Sequence, residues 1–153
     1  MSLLNQQAPN FTLDNEKGQQ VSLSDFKGKN VVLYFYPKDM TPGCTTEACD
    51  FRDAYGDFSA LNAVILGISM DDANKHTKFI EKHGLPFSLL VDAEHEVAEK
   101  YGVWVLKKMY GREYMGIERS TFLINEEGIV ITEWRKVKVK NHIEAVLSQL
   151  KGE

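Results

Sequence analysis

The chain contains two thiols, Cys44 and Cys49, and they lie close together. Two cysteines so near each other are too few for a structural disulfide framework, so any pairing between them would be transient and catalytic. The first closes the segment Tyr36-Pro37-Lys38-Asp39-Met40-Thr41-Pro42-Gly43-Cys44. Thr41 suits an N-cap and Pro42 the first helical position, which places Cys44 in the first turn of a helix. Free backbone N–H groups and the helix dipole stabilise an anion there, and the thiolate is the nucleophilic form of cysteine. A cysteine at that position can equally serve as a small buried apolar residue.

Acidity alone does not make a thiol fast against an O–O bond. Taking a thiol pKa from about 8.5 to about 6 raises the thiolate fraction at neutral pH roughly 30-fold. The same change lowers intrinsic nucleophilicity roughly tenfold if a Brønsted slope of about 0.4–0.5 applies. The net gain is a few-fold. The larger gain comes from stabilising charge as it moves onto the leaving oxygen, which needs donors beside the sulfur. The Thr41 hydroxyl and the Gly43 and Cys44 amides are local candidates. An arginine is the better cation, because its planar fork stays charged and can contact two atoms at once.

Cys49 falls on the same helix as Cys44. Helix geometry separates their Cα atoms by roughly 8–9 Å and turns them about 140° apart, whereas a disulfide rarely spans more than about 7 Å. The pair cannot bond while the helix is intact. Cys49 could also be a buried helix residue without a role. The histidines, at 76, 83, 95 and 142, are scattered and show no zinc-ligand spacing.

The elements that must position these thiols can be read in outline. Ala8 to Leu13 is extended, and Val21 to Leu23 is a short strand before a turn ending at Gly28. Asn30 to Tyr36 is a continuous apolar, β-rich run of the kind buried on both faces of a sheet, and it stops at Pro37. The spacing of Ala48, Phe51, Arg52 and Tyr55 predicts a helix from Pro42 to Phe58. Val64 to Ile68 is a second buried strand. Ala73 to His83 is a helix ended by Gly84 and Pro86. Ser88 to Val91 is a third strand, followed by a short helix from Glu94 to Tyr101. Gly102 to Glu118 carries no clear period and is read as loop. Thr121 to Ile124 and Ile129 to Trp134 form a hairpin across Asn125–Gly128. A last amphipathic helix carries Ile143, Val146, Leu147 and Leu150.

This order predicts an α/β fold with a mixed central sheet flanked by helices. Chemistry in such sheets gathers where strands end and helices begin, and Tyr36 to Cys44 is the first such junction. With 153 residues and neither an internal repeat nor a low-complexity linker, the chain is read as a single domain over 1–153. Its 18 basic and 22 acidic side chains leave a formal charge of −4, with no basic stripe for nucleic acid. Arg135, Lys136, Lys138 and Lys140 read as a solvated strand edge or loop. Met1 to Asn10 lacks secretory or transit character, and no apolar run approaches the roughly 20 residues that span a bilayer. The expectation is a soluble, cytoplasmic protein with no membrane or nucleic-acid partner.

The run from Tyr34 to Asp53, with Pro37, Thr41 and Cys44 in a Pro-x-x-x-Thr-x-x-Cys pattern, resembles the active-site segment of peroxiredoxins. A second cysteine five residues on marks a branch of the bacterioferritin comigratory protein (PrxQ) group. The likeness extends over essentially the whole chain, through Ala8–Phe11, Gly67–Asp71, Leu85–Asp92 and Glu118–Ile124. It implies a thioredoxin-like fold and thiol-dependent reduction of hydrogen peroxide and organic hydroperoxides, with no metal or organic cofactor. It also implies Cys44 as the peroxidatic thiol, Cys49 as the resolving one through an intramolecular disulfide, and thioredoxin or a similar dithiol as reductant. Pro37 would shield the pocket, Thr41 would hydrogen-bond the peroxide, and Arg119 would complete the site. Read from its neighbours alone, Arg119 is an exposed strand-edge charge. Glu47 matches a supporting acidic position, there to hold an arginine behind the site. The expected assembly is a monomer or weak dimer. A thioredoxin-fold disulfide oxidoreductase would normally show Cys-x-x-Cys, where four residues intervene here, and a redox-regulated holdase is a further alternative.

Overall fold

In the computed structural model, residues 2–152 are described. The end residues of the expected 1–153 domain, and Met1 of the opening segment, lie outside the described residues. The centre of the molecule is the apolar run read from the sequence: strand β3 spans Asn30–Phe35, and every residue after Asn30 is buried. Its side chains alternate between two cores, as strand geometry requires. Val31, Leu33 and Phe35 join one cluster with Phe11, Tyr101 and Phe122. Val32, Tyr34 and Tyr36 join the other, with Cys44, Ala48, Phe51, Phe79 and Val146.

Around β3 the sheet is mixed. Strands β1 (Thr12–Asp14) and β2 (Gln20–Ser22) form one edge, and β4 (Ala63–Ser69) and β5 (Ser88–Val91) run parallel to β3. Strands β8 (Ser120–Ile124) and β9 (Val130–Trp134) complete the order β2-β1-β5-β4-β3-β8-β9, with β8 antiparallel to β3. The helices are α1 (Pro42–Asp53), α2 (Tyr55–Ala60), α3 (Ala73–His83), α4 (Glu96–Lys100) and α5 (His142–Leu150). The second core draws its buried helix residues from α1, α2, α3 and α5, while Val97 and Ala98 of α4 pack into the first. The expected α/β architecture, a mixed sheet flanked by helices, is the one observed.

Two expectations need correction. The helix expected from Pro42 to Phe58 is interrupted at Ala54, which leaves helical ψ at 4°. Gly56 weakens the helix there, and Phe51 and Phe58 are both fully buried with ring centroids 5.8 Å apart. The larger error concerns Gly102 to Glu118, which is a hairpin of β6 (Trp104–Met109) and β7 (Arg112–Ile117). Tyr110 and Gly111 turn it with φ of 50° and 77°, a two-residue turn that needs positive φ at both positions. The hairpin is a separate two-stranded sheet with Leu106, Met109, Tyr110 and Met115 exposed. Without one buried face its sequence has no period of two, although Gly111 between two β-rich runs was a usable signal.

Among the described residues no helix is long and apolar enough to cross a membrane.

Candidate active site

The parallel strand β3 delivers the chain to the site: the Tyr36 amide still donates to the Ile68 carbonyl at 3.1 Å, and after it the backbone leaves the sheet. Pro37 and Lys38 are exposed, and Met40 takes a left-handed φ of 67°. Thr41 then sits at the N-cap with extended backbone, and Pro42 opens α1. The sequence reading of this start holds in backbone but not in side chain. The Thr41 hydroxyl does not cap α1; it donates backwards to the Lys38 carbonyl at 2.8 Å. Its hydrogen being so committed, the oxygen lone pairs are left to accept.

Cys44 lies in the first turn of α1, 2% exposed and packed in the second core with Ala48 and Phe51. These residues share one helix face through their i, i+4, i+7 spacing. Arg119 reaches it from the far side of the chain: Nη2 donates to Cys44 Sγ at 3.2 Å, and Nη1 donates to Glu47 Oε1 at 2.6 Å. Sheet register accounts for the encounter. Ser120 pairs with Phe35, so the residue before Ser120 stands beside the end of β3 where α1 begins. Gly43 permits the close approach, since a Cβ there would lie 3.2 Å from Arg119 Nη2.

Glu47 is 0% exposed, and its second oxygen, Oε2, has no hydrogen-bond partner. Burial pushes its carboxyl up to about 7, with Arg119 acting in the opposite sense. Burial also works against the charge of Arg119, but Glu47 and Cys44 outweigh it and hold the guanidinium above its ordinary pKa. The expectation that Glu47 braces an arginine behind the site is thus corrected: it binds the arginine that touches the thiol.

Cys49 is half-buried, five residues along the same unbroken helix, and both thiols are free. The structure therefore brings together Cys44, Arg119 and Glu47, with Thr41 at the adjoining cap. Pro37 stands exposed at the loop's start, and Cys49 faces away. One further cation was not singled out from the sequence. Lys107 on β6 is half-buried, its stem crossing Gly116 with Cδ 3.3 Å from where a Cβ would be. Burial and then Arg119 lower its pKa, while Glu118 and Cys44 act against that. His142 Nε2 meets the Thr121 hydroxyl at 2.8 Å, and burial, then Arg119, lowers its pKa to about 4, keeping it neutral. Among the described residues no three His, Cys, Asp or Glu side chains gather as a metal-ligating group.

A buried thiol fixed against a guanidinium at a helix start is suited to attack an electrophile that leaves as an anion. Comparison with known proteins gives the same direction. The AhpC/TSA family model matches residues 4–132. Peroxiredoxin Bcp of Bacillus subtilis is 63% identical over 148 residues, covering 97% of this chain and 94% of the relative. Peroxiredoxin Bcp of Escherichia coli is 44% identical over 144 residues, covering 94% and 92%. Among solved structures, Xanthomonas campestris peroxiredoxin Q superposes with a TM-score of 0.89 at 44% identity, covering 94% of this chain and 90% of that one. The bacterioferritin comigratory protein of the same organism, described for its alkyl peroxide reduction activity, also gives 0.89 at 44% identity, covering 93% and 90%.

Proposed function

This chain belongs to the AhpC/TSA family, within its Bcp/PrxQ peroxiredoxins, and we propose that its peroxidase cycle runs through Cys44 and Cys49. It is a thiol peroxidase with a thioredoxin-like fold. In the first step the Cys44 thiolate attacks the hydroxyl oxygen of a hydroperoxide. The S–O bond forms and the O–O bond breaks, giving a sulfenic acid and an alkoxide or hydroxide that takes a proton to leave as alcohol or water. The sulfur is oxidised by two electrons and the peroxide reduced by two.

The observation that carries this reading is the contact of Arg119 Nη2 with Cys44 Sγ at 3.2 Å. The guanidinium favours the thiolate before attack and can follow the charge towards the departing oxygen, where a donor is worth most. Glu47 fixes its orientation. Thr41, with its hydrogen already given to Lys38, accepts from the peroxide O–H and so turns the hydroxyl oxygen towards sulfur. Pro37 screens the mouth of the pocket.

In the second step the Cys49 thiolate attacks Cys44 Sγ, the disulfide forms, and the sulfenate oxygen leaves as water. A dithiol protein of the thioredoxin kind then returns both thiols. The substrate range is hydrogen peroxide and organic hydroperoxides, the setting a single cytoplasmic domain acting as monomer or weak dimer. Thiols needing regeneration after every turnover suit a compartment with a dithiol supply. An NADPH-coupled assay with thioredoxin and thioredoxin reductase tests the cycle. NADPH consumption should begin only when peroxide is added. Consumption without peroxide would favour a disulfide oxidoreductase, and none in either case would favour a holdase.

A further inference from the structure

The loop that carries Pro37 and Thr41 is fastened at a residue the peroxidase chemistry does not touch. Asp39 is 4% exposed, and His76, on α3, is fully buried. Tyr36 donates its hydroxyl to Asp39 Oδ1 at 2.5 Å, and His76 Nδ1 lies 2.6 Å from Asp39 Oδ2. The other ring nitrogen, Nε2, lies 2.9 Å from the Leu90 carbonyl on β5. The Asp39 amide donates to Asp71 Oδ2 at 2.7 Å, an oxygen that also accepts from the Ser69 hydroxyl at 2.9 Å. One loop residue is therefore tied to the end of β3, to the junction between β4 and α3, and through His76 to α3 and β5. Its neighbours on the chain are Lys38, whose carbonyl holds the Thr41 hydroxyl, and Met40 in its left-handed turn.

The hydrogens can be counted. A carbonyl only accepts, so His76 Nε2 carries a hydrogen. A neutral ring would then present a bare Nδ1 to a carboxylate oxygen across 2.6 Å. A proton must lie between them, and the arrangement is an imidazolium–carboxylate pair. Burial opposes that charge on His76; the hydrogen bond and charge of Asp39, then the Leu90 carbonyl and Asp71, outweigh it and hold the pKa above the ordinary histidine value. The titratable groups around the ring are Asp39 from the loop, the Tyr36 hydroxyl 3.5 Å from Nδ1, and Asp71 from the β4–α3 junction, the last 4.0 Å from the exposed Lys75 ammonium.

We infer that Asp39 and His76 are positioning residues for peroxide reduction: their buried pair clamps the Pro37–Thr41 loop so that Thr41 and the start of α1 are held in register with Cys44. The inference rests on Cys44 being the attacking thiol. It also assigns a fixed end to the helix opening that Cys49 requires, because the clamp lies upstream of the turns that must separate. A histidine whose folded pKa is raised stabilises fully below its unfolded value of about 6.5, and that stabilisation is lost as pH rises through the folded value. The clamp is thus closed below the ordinary histidine range and loosens as pH rises through the raised folded value.

The test is single-turnover oxidation of Cys44 by hydrogen peroxide across a pH series, in the full chain, read by mass after acid quench. Asp39→Ala should slow it by about 10- to 100-fold, the penalty for a misplaced reacting group. Asp39→Asn should recover most of the neutral-pH rate, because its amide nitrogen can donate to a neutral His76 Nδ1 while its oxygen accepts from Tyr36. The same variant should lose the alkaline fall in rate, and a general loss of stability would not do that. An unaffected Asp39→Ala rate, an Asp39→Asn rate as low as that of Asp39→Ala, or an alkaline limb retained in Asp39→Asn would each overturn the inference. If Asp39→Ala does not fold, the pH limb of Asp39→Asn decides. Peroxide consumption persisting in Cys44→Ser would instead show that the underlying reading of Cys44 is wrong.

Discussion

The two halves of α1 carry one cysteine each and surround them differently. At the first turn, Cys44 is nearly inaccessible, with Arg119 donating to its sulfur, Glu47 bracing that arginine, and Thr41 at the cap. In the second half, Cys49 is half-buried on an ordinary amphipathic turn whose inward residues are Ala48 and Phe51. The same element holds both thiols, so helix position alone does not distinguish them. What differs is the number of other elements that converge. In the proposed cycle Cys44 would react where it stands, whereas Cys49 would act only by moving, since about 8–9 Å of helix separates its Cα from that of Cys44.

The largest effect expected from breaking this contrast is at Cys44 itself. Cys44→Ser should abolish peroxide turnover, because a hydroxyl stays protonated near neutral pH; measurable NADPH-coupled activity would refute its role. Next is Cys49→Ser, which should lose thioredoxin-coupled steady-state turnover while keeping a normal first oxidation, read as a sulfenic or, with excess peroxide, sulfinic mass. The motion has its own readout. Amide exchange protection across residues 44–53 should collapse when the disulfide forms and return with dithiol, the lost turn hydrogen bonds being worth about 1 kcal/mol each. Equal protection in both redox forms would mean that the two thiols do not bond within one chain.

Smaller effects sharpen the contrast around the first turn. Thr41→Val should slow single-turnover peroxide reduction about 10- to 100-fold, because the acceptor that turns the peroxide towards sulfur is lost. Thr41→Ser should be much milder. Arg119→Lys should be impaired despite its retained charge, because one ammonium cannot span both Cys44 Sγ and Glu47 Oε1 as the fork does. Stopped-flow rates within a few-fold of the unaltered protein would remove Thr41 as the orienting acceptor in Thr41→Val, and in Arg119→Lys would place charge stabilisation elsewhere.

Glu47→Gln should change the rate least, since an amide oxygen can still accept from Arg119. Its mark is on stability. Burial raises the Glu47 carboxyl from 4.5 to about 7, so the folded state holds that proton more tightly than the unfolded one. The stabilisation is complete below the unfolded value and is lost as pH rises towards the folded one. At about 1.4 kcal/mol for each pKa unit this is on the order of 3 kcal/mol. Urea unfolding at about pH 5 and about pH 8 should show that slope in the unaltered protein and a flatter one in Glu47→Gln; equal slopes would remove Glu47 as its source.

Legibility in the sequence followed the range of the interactions involved. The start of α1 was readable because Thr41, Pro42 and Cys44 act through their immediate neighbours. The strand β3 was readable because full burial on both faces writes an unbroken apolar run. The β6–β7 hairpin was not, since a two-stranded sheet exposed along most of its length places no constraint on alternate residues. The Thr41 hydroxyl was misjudged as a helix cap because it turns away from the first-turn amides to donate to the Lys38 carbonyl. Arg119 was legible only through family likeness; its own surroundings, at the entry to β8, read as a strand edge.

By itself the sequence determined the α/β class, the helix start that exposes free amides at Cys44, and the five-residue spacing that forbids a disulfide within an intact helix. These are consequences of backbone geometry over a few residues. Only the tertiary structure decided what meets the thiol. Arg119 contacts Cys44 across 75 positions of sequence and Glu47 across 72, because the β3–β8 register and the packing of α1 on the sheet put them there. Asp39 meets His76 across 37 positions for the same reason. Charge, burial and hydrogen bonding at the site are sums over elements that the chain joins only on folding, and no local pattern of residue types encodes such a sum.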